Sequence, residues 1–377
     1  MKLRVASIVV ATAILAGADP SVQVHLAAQG KGASQAEPDT DLDGTLEVLF
    51  EDGYDAPRLK HFLRTASDRV ELDFGGRGPR NLQTGTRVRA RGKLRNGKLA
   101  LNPLDVAALG GEVAALGGGS GGGSGQALVS PNTFGVQSTL VILFNFQDLV
   151  QQPYTTSLAN TVTFTQVNNF DLENSFQQTS LTGTVVGWYT IASSATAQGC
   201  NYNVWAAQAE AAATAAGVNL SLYPRRVFGF PQTSACSWWG LGSVGGGDTG
   251  NPSRAWINGT YSLRVVAHEM GHNFGLYHSR SNTCDSTNGC FVDEYGDDHD
   301  VMGGGPSSIT GHFNAYQKER IGWLNFGSSP TIATVTGSGQ YALEPYAKPW
   351  TGGAKALKIL KSTNGASNTY IYAEART

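Results

Sequence analysis

The run His268-Glu269-Met270-Gly271-His272-Asn273-Phe274-Gly275-Leu276-Tyr277-His278 holds the residues whose types and spacing can do chemistry. On a helix, residues four apart share one face, so His268 and His272 aim two imidazoles at one point. Glu269, beside the first of them, turns a carboxylate toward the same point. Gly275 is where the helix should end, because glycine tolerates the left-handed conformation of a sharp turn. That turn brings His278 round as a third donor. Three imidazoles suit one zinc ion with a fourth position left for water, whereas a structural zinc is closed by four protein ligands. Three of the seven histidines lie in this run. As mere core residues, two uncompensated imidazoles one turn apart would be costly to bury.

Such a motif needs a scaffold. Residues 138–146 form a nearly continuous apolar run rich in β-branched side chains, which suits a strand buried on both faces. Residues 168–178 read as helical and 183–191 as a strand. Residues 204–216 have helix-forming composition, ended by Gly217, and 226–230 read as a short strand. Alternation of this kind ahead of the metal motif predicts an α/β or α+β catalytic domain. Trp238-Trp239, followed by Gly240-Leu241-Gly242-Ser243, reads either as core or as the lining of a cleft beside an edge strand that pairs with extended substrate.

The preceding residues differ in character. Lys2 and Arg4, the apolar residues 5–15 and the small-x-small triplet Ala16-Gly17-Ala18 make an export signal, too short to span a bilayer. Residues 41–106 carry alternating strand-like runs at 44–50, 69–74 and 86–92, and Asn96-Gly97 reads as a hairpin turn. They predict a small all-β module, a five-strand barrel, serving as a prosegment. The run of glycines and serines at 117–125 has no side chains to pack and reads as a flexible linker, natural or engineered. Beyond 326 the chain reads as β-structure at 341–343, 356–360 and 369–374. It stops directly after a strong strand, as an incomplete module would.

Composition narrows the class. Charged residues are 15% of the chain and glycines number 48, against roughly 25% charged residues in an average globular chain. The net charge of -2 gives no footprint for nucleic acid or an anionic membrane. Cys200, Cys236, Cys284 and Cys290 form an even set in an exported chain, so disulfides are expected among three possible pairings. The short Gly-containing loop favours Cys284–Cys290, leaving Cys200–Cys236. The acidic residues Asp293, Glu294, Asp297, Asp298 and Asp300 offer oxygen ligands of the kind calcium takes, without the spacing of a regular calcium loop. His299 and His312 are lesser candidates for substrate contact.

The motif resembles that of the metzincin clan of zinc endopeptidases, H-E-x-x-H-x-x-G-x-x-H followed by a methionine turn. Asp300-Val301-Met302-Gly303 supplies the turn. The segment His312-Phe313-Asn314-Ala315-Tyr316-Gln317-Lys318-Glu319-Arg320-Ile321-Gly322-Trp323 is similar to the gametolysin family within that clan. The resemblance covers roughly residues 135–327. It implies that His268, His272 and His278 hold one catalytic zinc and that Glu269 is general base and then general acid. It also implies that Met302 packs beneath the imidazoles without ligating. Some metzincins carry a tyrosine two residues past the methionine; here Gly304 stands there, and Tyr316 reads as a surface or core residue. Some relatives stay latent through a prosegment cysteine, but the first cysteine here is Cys200. An inhibitory N-terminal module would have to use a carboxylate, a backbone group or steric cover.

The sequence therefore predicts an α+β metzincin-type catalytic domain, with a twisted mixed sheet, an active-site helix and a Met-turn. A small all-β module precedes it and an incomplete β-rich segment follows. The divisions are a signal at 1–18, a lead at 19–40, the barrel-like prosegment at 41–106 and a linker at 107–132. The peptidase spans 133–327 and the C-terminal module 328–377. The expected function is a secreted zinc metalloendopeptidase acting on extracellular proteins or peptides, without nucleic acid or membrane insertion. The alternative is a secreted binding or adhesion protein on the same scaffold without turnover. Oligomeric state is left open.

Overall fold

Strand-forming patterns dominate from the first described residues onward. The structure, a computed structural model, describes residues 39–54, 56–76, 78–109, 130–285, 289–304, 310–364 and 367–376. The expected export signal, most of the lead and the Gly/Ser run at 117–125 lie outside them. In β4 (Arg87–Arg95), Val88 and Ala90 turn inward while Arg87, Arg89 and Arg91 face out, the two-residue period of a half-buried strand. Four further strands join it: β1 (Thr40–Gly53), β2 (Arg58–Arg64), β3 (Arg69–Asp73) and β5 (Lys98–Ala100). The pairings β1–β2, β2–β3, β3–β5, β5–β4 and β4–β1 close a five-stranded barrel around Leu46, Val48, Phe50, Leu63, Leu72, Val88 and Leu99. Asn96 and Gly97, both at positive φ (50° and 76°), turn β4 into β5. A short β6 (Val106–Ala108) adds to β4.

The second half is built on β7 (Gly135–Phe146), β8 (Thr179–Ile191), β9 (Arg225–Phe230), β10 (Trp238–Ser243) and β11 (Ser253–Asn258). They lie in the order β10-β11-β9-β7-β8, with β10 antiparallel and the others parallel. Both faces of β7 are covered, which is why its sequence is apolar without alternation. Leu140, Ile142 and Phe144 pack on α3 (Tyr202–Ala215) through Trp205, Ala206 and Ala209. Val141 and Leu143 face the layer of α1 (Thr156–Thr161), α2 (Asn168–Asn174) and α4 (Leu263–Asn273). A hairpin, β12 (Ser281–Asp285) with β13 (Gly289–Asp293), and helix α5 (Ala315–Arg320) follow. A three-stranded sheet of β14 (Ile332–Val335), β15 (Ala356–Asn364) and β16 (Ser367–Glu374) comes last. Residues 341–343 are not a strand.

One strand pairing, with an isolated bridge between Thr84 and Gly245 beside it, joins the two halves. The end of β1 runs antiparallel to β10, with Leu49 opposite Ser243, Glu51 opposite Leu241 and Asp52 opposite Gly240, giving a single eleven-stranded sheet. Val244 and Tyr277 complete the barrel core, and Leu49 and Phe62 enter the core beneath α3. Residues 39–376 that are described fall within one compact unit.

The α+β expectation is overturned. The described residues are mostly β, with a closed barrel and a few short helices, and α4 spans only eleven residues. The reason lies partly in the helix expected at 168–178, which ends at Asn174 as the short α2 and follows brief α and π turns over 156–167. It lies also in Gly275, which stops α4 after three turns. Among the described residues, no helix is long and apolar enough to cross a membrane.

Candidate metal centre

Helix α4 is set by close backbone approaches that only glycine permits. A Cβ on Gly240 of β10 would collide with the Glu269 carboxylate, and one on Gly271 would meet the Met302 sulfur. The strand therefore lies directly over the helix on one side, and the Met-turn lies directly under it on the other. At its end, Gly275 takes φ +99°. Its N–H donates to the His272 carbonyl at 2.8 Å, and the Leu276 N–H donates to that of Gly271 at 3.1 Å. These two bonds make a Schellman turn. Arg225, fully buried, donates to the Asn273 carbonyl at 3.0 Å, and Arg320 to that of Gly275 at 3.1 Å. The turn that delivers His278 is thus held by two guanidinium groups.

The three imidazoles converge. His268 Nδ1 lies 2.7 Å from the Val301 carbonyl and His272 Nδ1 lies 2.8 Å from that of Leu276. A carbonyl can only accept, so each Nδ1 carries the proton and each Nε2 presents a lone pair. His268 Nε2 and His278 Nε2 are 3.3 Å apart. Two nitrogens at about 2.0–2.1 Å from one tetrahedral zinc stand at about this separation. His272 Nε2 has no hydrogen-bond partner among the described residues. Buried lone pairs aimed at one another are unfavourable unless a cation sits between them, so the donor set fits a zinc ion.

A carboxylate from the barrel completes the cluster. Asp52 Oδ1 is 2.6 Å from His278 Nε2 and 3.2 Å from His268 Nε2, and Oδ2 is 3.4 Å from His272 Nε2. The four side chains are buried, and one ligand atom from each lies within 4.8 Å of the others. The Tyr295 hydroxyl donates to Asp52 Oδ1 at 2.8 Å. Asp52 is fully buried, and with the Nε2 lone pairs of His268 and His272 turned toward it, its carboxylate needs a cation between them to keep its charge. For Glu269, burial first, then the neighbouring Asp52 charge, push the carboxyl well above the ordinary value. Neither Glu269 oxygen has a hydrogen-bond partner among the described residues.

Residues 147–370 match the family described as gametolysin peptidase M11. The chain belongs to that family. Autolysin of Chlamydomonas reinhardtii is 32% identical to this M11 peptidase over 114 residues, which are 29% of the chain and 16% of the relative. The chain thus matches a small part of that relative's length. Metalloproteinase-II from Bacteroides fragilis, a solved structure, aligns at 11% identity with a TM-score of 0.31, covering 75% of this chain and 90% of that one. That likeness is too slight to bear on the site.

The other candidates in this M11 peptidase fall as follows. Met302 is buried beneath α4 against Gly271. Trp239 sets its ring edge toward His268 at 5.1 Å between centroids, while Trp238 is core. Cys200–Cys236 and Cys284–Cys290 are disulfides. The acidic group is dispersed. Asp300 turns inward and accepts from the Ser279 hydroxyl and the Met302 and Asn314 N–H groups at 2.7–2.8 Å, pinning the Met-turn. Glu294 pairs with Arg80 and stands 3.6 Å from His278 Nδ1. Asp293 and Asp297 accept from the Tyr295 and His299 N–H groups. His312 bonds Glu173, away from the cluster, and Tyr316 is exposed against Tyr372. Sequence reasoning missed Asp52 and Tyr295. Asp52-Gly53 looks like a turn closing a strand, and the available hint was the expectation that an inhibitory N-terminal module would have to use a carboxylate, a backbone group or steric cover.

Proposed function

We propose that this M11 peptidase is an exported zinc endopeptidase that cleaves extracellular proteins, with His268, His272 and His278 holding the metal and Glu269 as general base and acid. The observation that carries the reading is the pair of protonated Nδ1 atoms on backbone carbonyls, which leaves the Nε2 lone pairs aimed at one point beside an unpartnered carboxylate. Zinc, when bound, supplies Lewis acidity, lowering the pKa of a water towards about 7 and polarising a carbonyl. Glu269 takes the proton of the attacking water and hands it to the departing amine. The carboxylate lies under Gly240, so a peptide laid along β10 has its backbone above the base. Val301 and Leu276 hold two imidazoles in register, and Met302 fills the space below. Within this reading, 1–18 is the export signal, 19–40 a lead, 41–106 a prosegment and 107–132 a linker. The peptidase domain is 133–327 and the C-terminal module 328–377.

The test is hydrolysis of denatured casein or gelatin, using the full chain before and after a specific cut is made within residues 117–125. Metal content is determined in parallel. Activity abolished by a chelator and restored by zinc supports the reading. If zinc is bound and the cut chain, with its N-terminal piece removed, hydrolyses neither substrate, the alternative of a binding protein without turnover replaces it.

A further inference from the structure

We propose that Asp52 is the latency ligand of this peptidase: β1 sets its carboxylate in the fourth position of the three-histidine site and, with the same strand, occupies the edge of β10 where a substrate would lie. The inference rests on the peptidase reading of the site and names how that site is shut.

Three observations carry it. The first is coordination. A site closed by four protein donors is the arrangement of a structural metal, yet Glu269 is buried beside this one with both oxygens unpartnered. A base kept dry at such cost has work to do only when the fourth donor can leave. The second is register. β10 is bonded to β11 on one side and to β1 on the other, with Asp52 opposite Gly240, the residue that lies on Glu269. The strand therefore lies where added-strand recognition would seat a peptide, and it carries a metal-binding carboxylate at the residue above the base. Phe50, stacked on His272 at 4.9 Å and over His278 at 4.0 Å between centroids, seals the same spot. The third is connectivity. β1 belongs to the barrel, and the sequence between barrel and peptidase includes the Gly/Ser run at 117–125. Losing β1 leaves β10 paired with β11, with its other edge free. Barrel and peptidase also share core contacts through Leu49, Phe62, Val244 and Tyr277. Cutting the connection alone should therefore leave the barrel docked and the site shut.

The test uses full-length chains carrying Glu269→Gln, so that none cuts itself, loaded with cobalt in place of zinc. Asp52→Asn, which keeps the shape, and Asp52→Ala are each added. The d–d absorption of the cobalt and the affinity for acetohydroxamate are measured. Both Asp52 variants should alter the absorption and bind the hydroxamate about tenfold or more tightly, because a competing internal ligand lowers apparent affinity by the fraction of open sites. With Glu269 restored, Asp52→Ala should raise hydrolysis of a short quenched peptide by a similar factor. Identical spectra and hydroxamate affinities in all three chains would overturn the proposal. If spectra and affinities change and peptide cleavage stays absent even after the connection is cut and the barrel is removed, Asp52 stands as the fourth ligand and the peptidase reading fails instead.

Discussion

At the scale of single residues, the site depends on atoms that never touch substrate. The Val301 and Leu276 carbonyls choose the tautomer of His268 and His272, and that choice is what frees two Nε2 lone pairs for a metal. Removing His272 by substitution to alanine takes away one of three imidazole donors. Zinc content after dialysis should fall sharply, since even loss of a supporting hydrogen bond costs about 10–100-fold in metal affinity; a His272→Ala chain that kept one zinc would exclude it as a ligand. Glu269→Ala should separate binding from chemistry. Zinc content should stay, while peptide hydrolysis falls by about 10²–10⁴-fold, the usual worth of a general base. Measuring both on one preparation decides it, and undiminished turnover would move the base elsewhere. The three histidines and Glu269 were legible because they lie within one helix and its turn, where spacing maps onto geometry. Asp52 was not: it meets His268 across 216 residues, and no local pattern marks an aspartate at a strand end as a ligand.

At the scale of elements, most local periods read true, although 341–343 formed no strand and the helix begun at 168 stopped at Asn174. The long-range pairing of edges was not foreseen. The apolar run at 138–146 became part of β7, the Ala-rich run became α3, and Asn96-Gly97 made its turn. Each depends on neighbours a few residues away. The fold class depends on which edges pair, and the pairing of β1 with β10 is a long-range event that no window along the chain contains. The same limit hid the glycines of β10, which look like filler in Trp238-Trp239-Gly240-Leu241-Gly242-Ser243 and in fact let the strand rest on Glu269. Gly275 was legible, because a left-handed residue must end a helix that turns back to deliver His278. Gly275→Ala puts a Cβ at φ +99°, 2.5 Å from the Ser130 hydroxyl and 2.8 Å from Gln83 Nε2. The expected cost is about 1–3 kcal/mol from backbone strain, read as a lowered denaturation midpoint, together with weaker zinc retention as His278 shifts. An unchanged midpoint would mean that the turn tolerates a side chain.

At the scale of the whole molecule, barrel and peptidase share one sheet, so what weakens the barrel bears on the cleft. His61 is the barrel's weak point towards acid. It lies in β2, is 2% exposed, meets the Pro79 carbonyl through Nε2 at 3.0 Å and packs edge-on against Phe74. Burial lowers its pKa from 6.5 to about 4, and the Pro79 bond recovers only part of the shift. The folded chain therefore binds fewer protons than the unfolded chain between those values. Its stability is fully present above pH 6.5, falls as pH drops through the window, and levels off below about 4. A shift of that size corresponds to about 3 kcal/mol, a large share of the stability of a small module. Denaturant unfolding followed by far-ultraviolet circular dichroism at several pH values should show this slope. His61→Gln, which keeps a donor for the Pro79 carbonyl and cannot titrate, should flatten it. If the variant keeps the full slope, other groups govern the acid response. If the slope goes, mild acid should also loosen the strand that covers β10, and hydroxamate binding near pH 5 should become tighter in the native chain than in His61→Gln once each is corrected for the intrinsic pH dependence seen with Asp52→Ala.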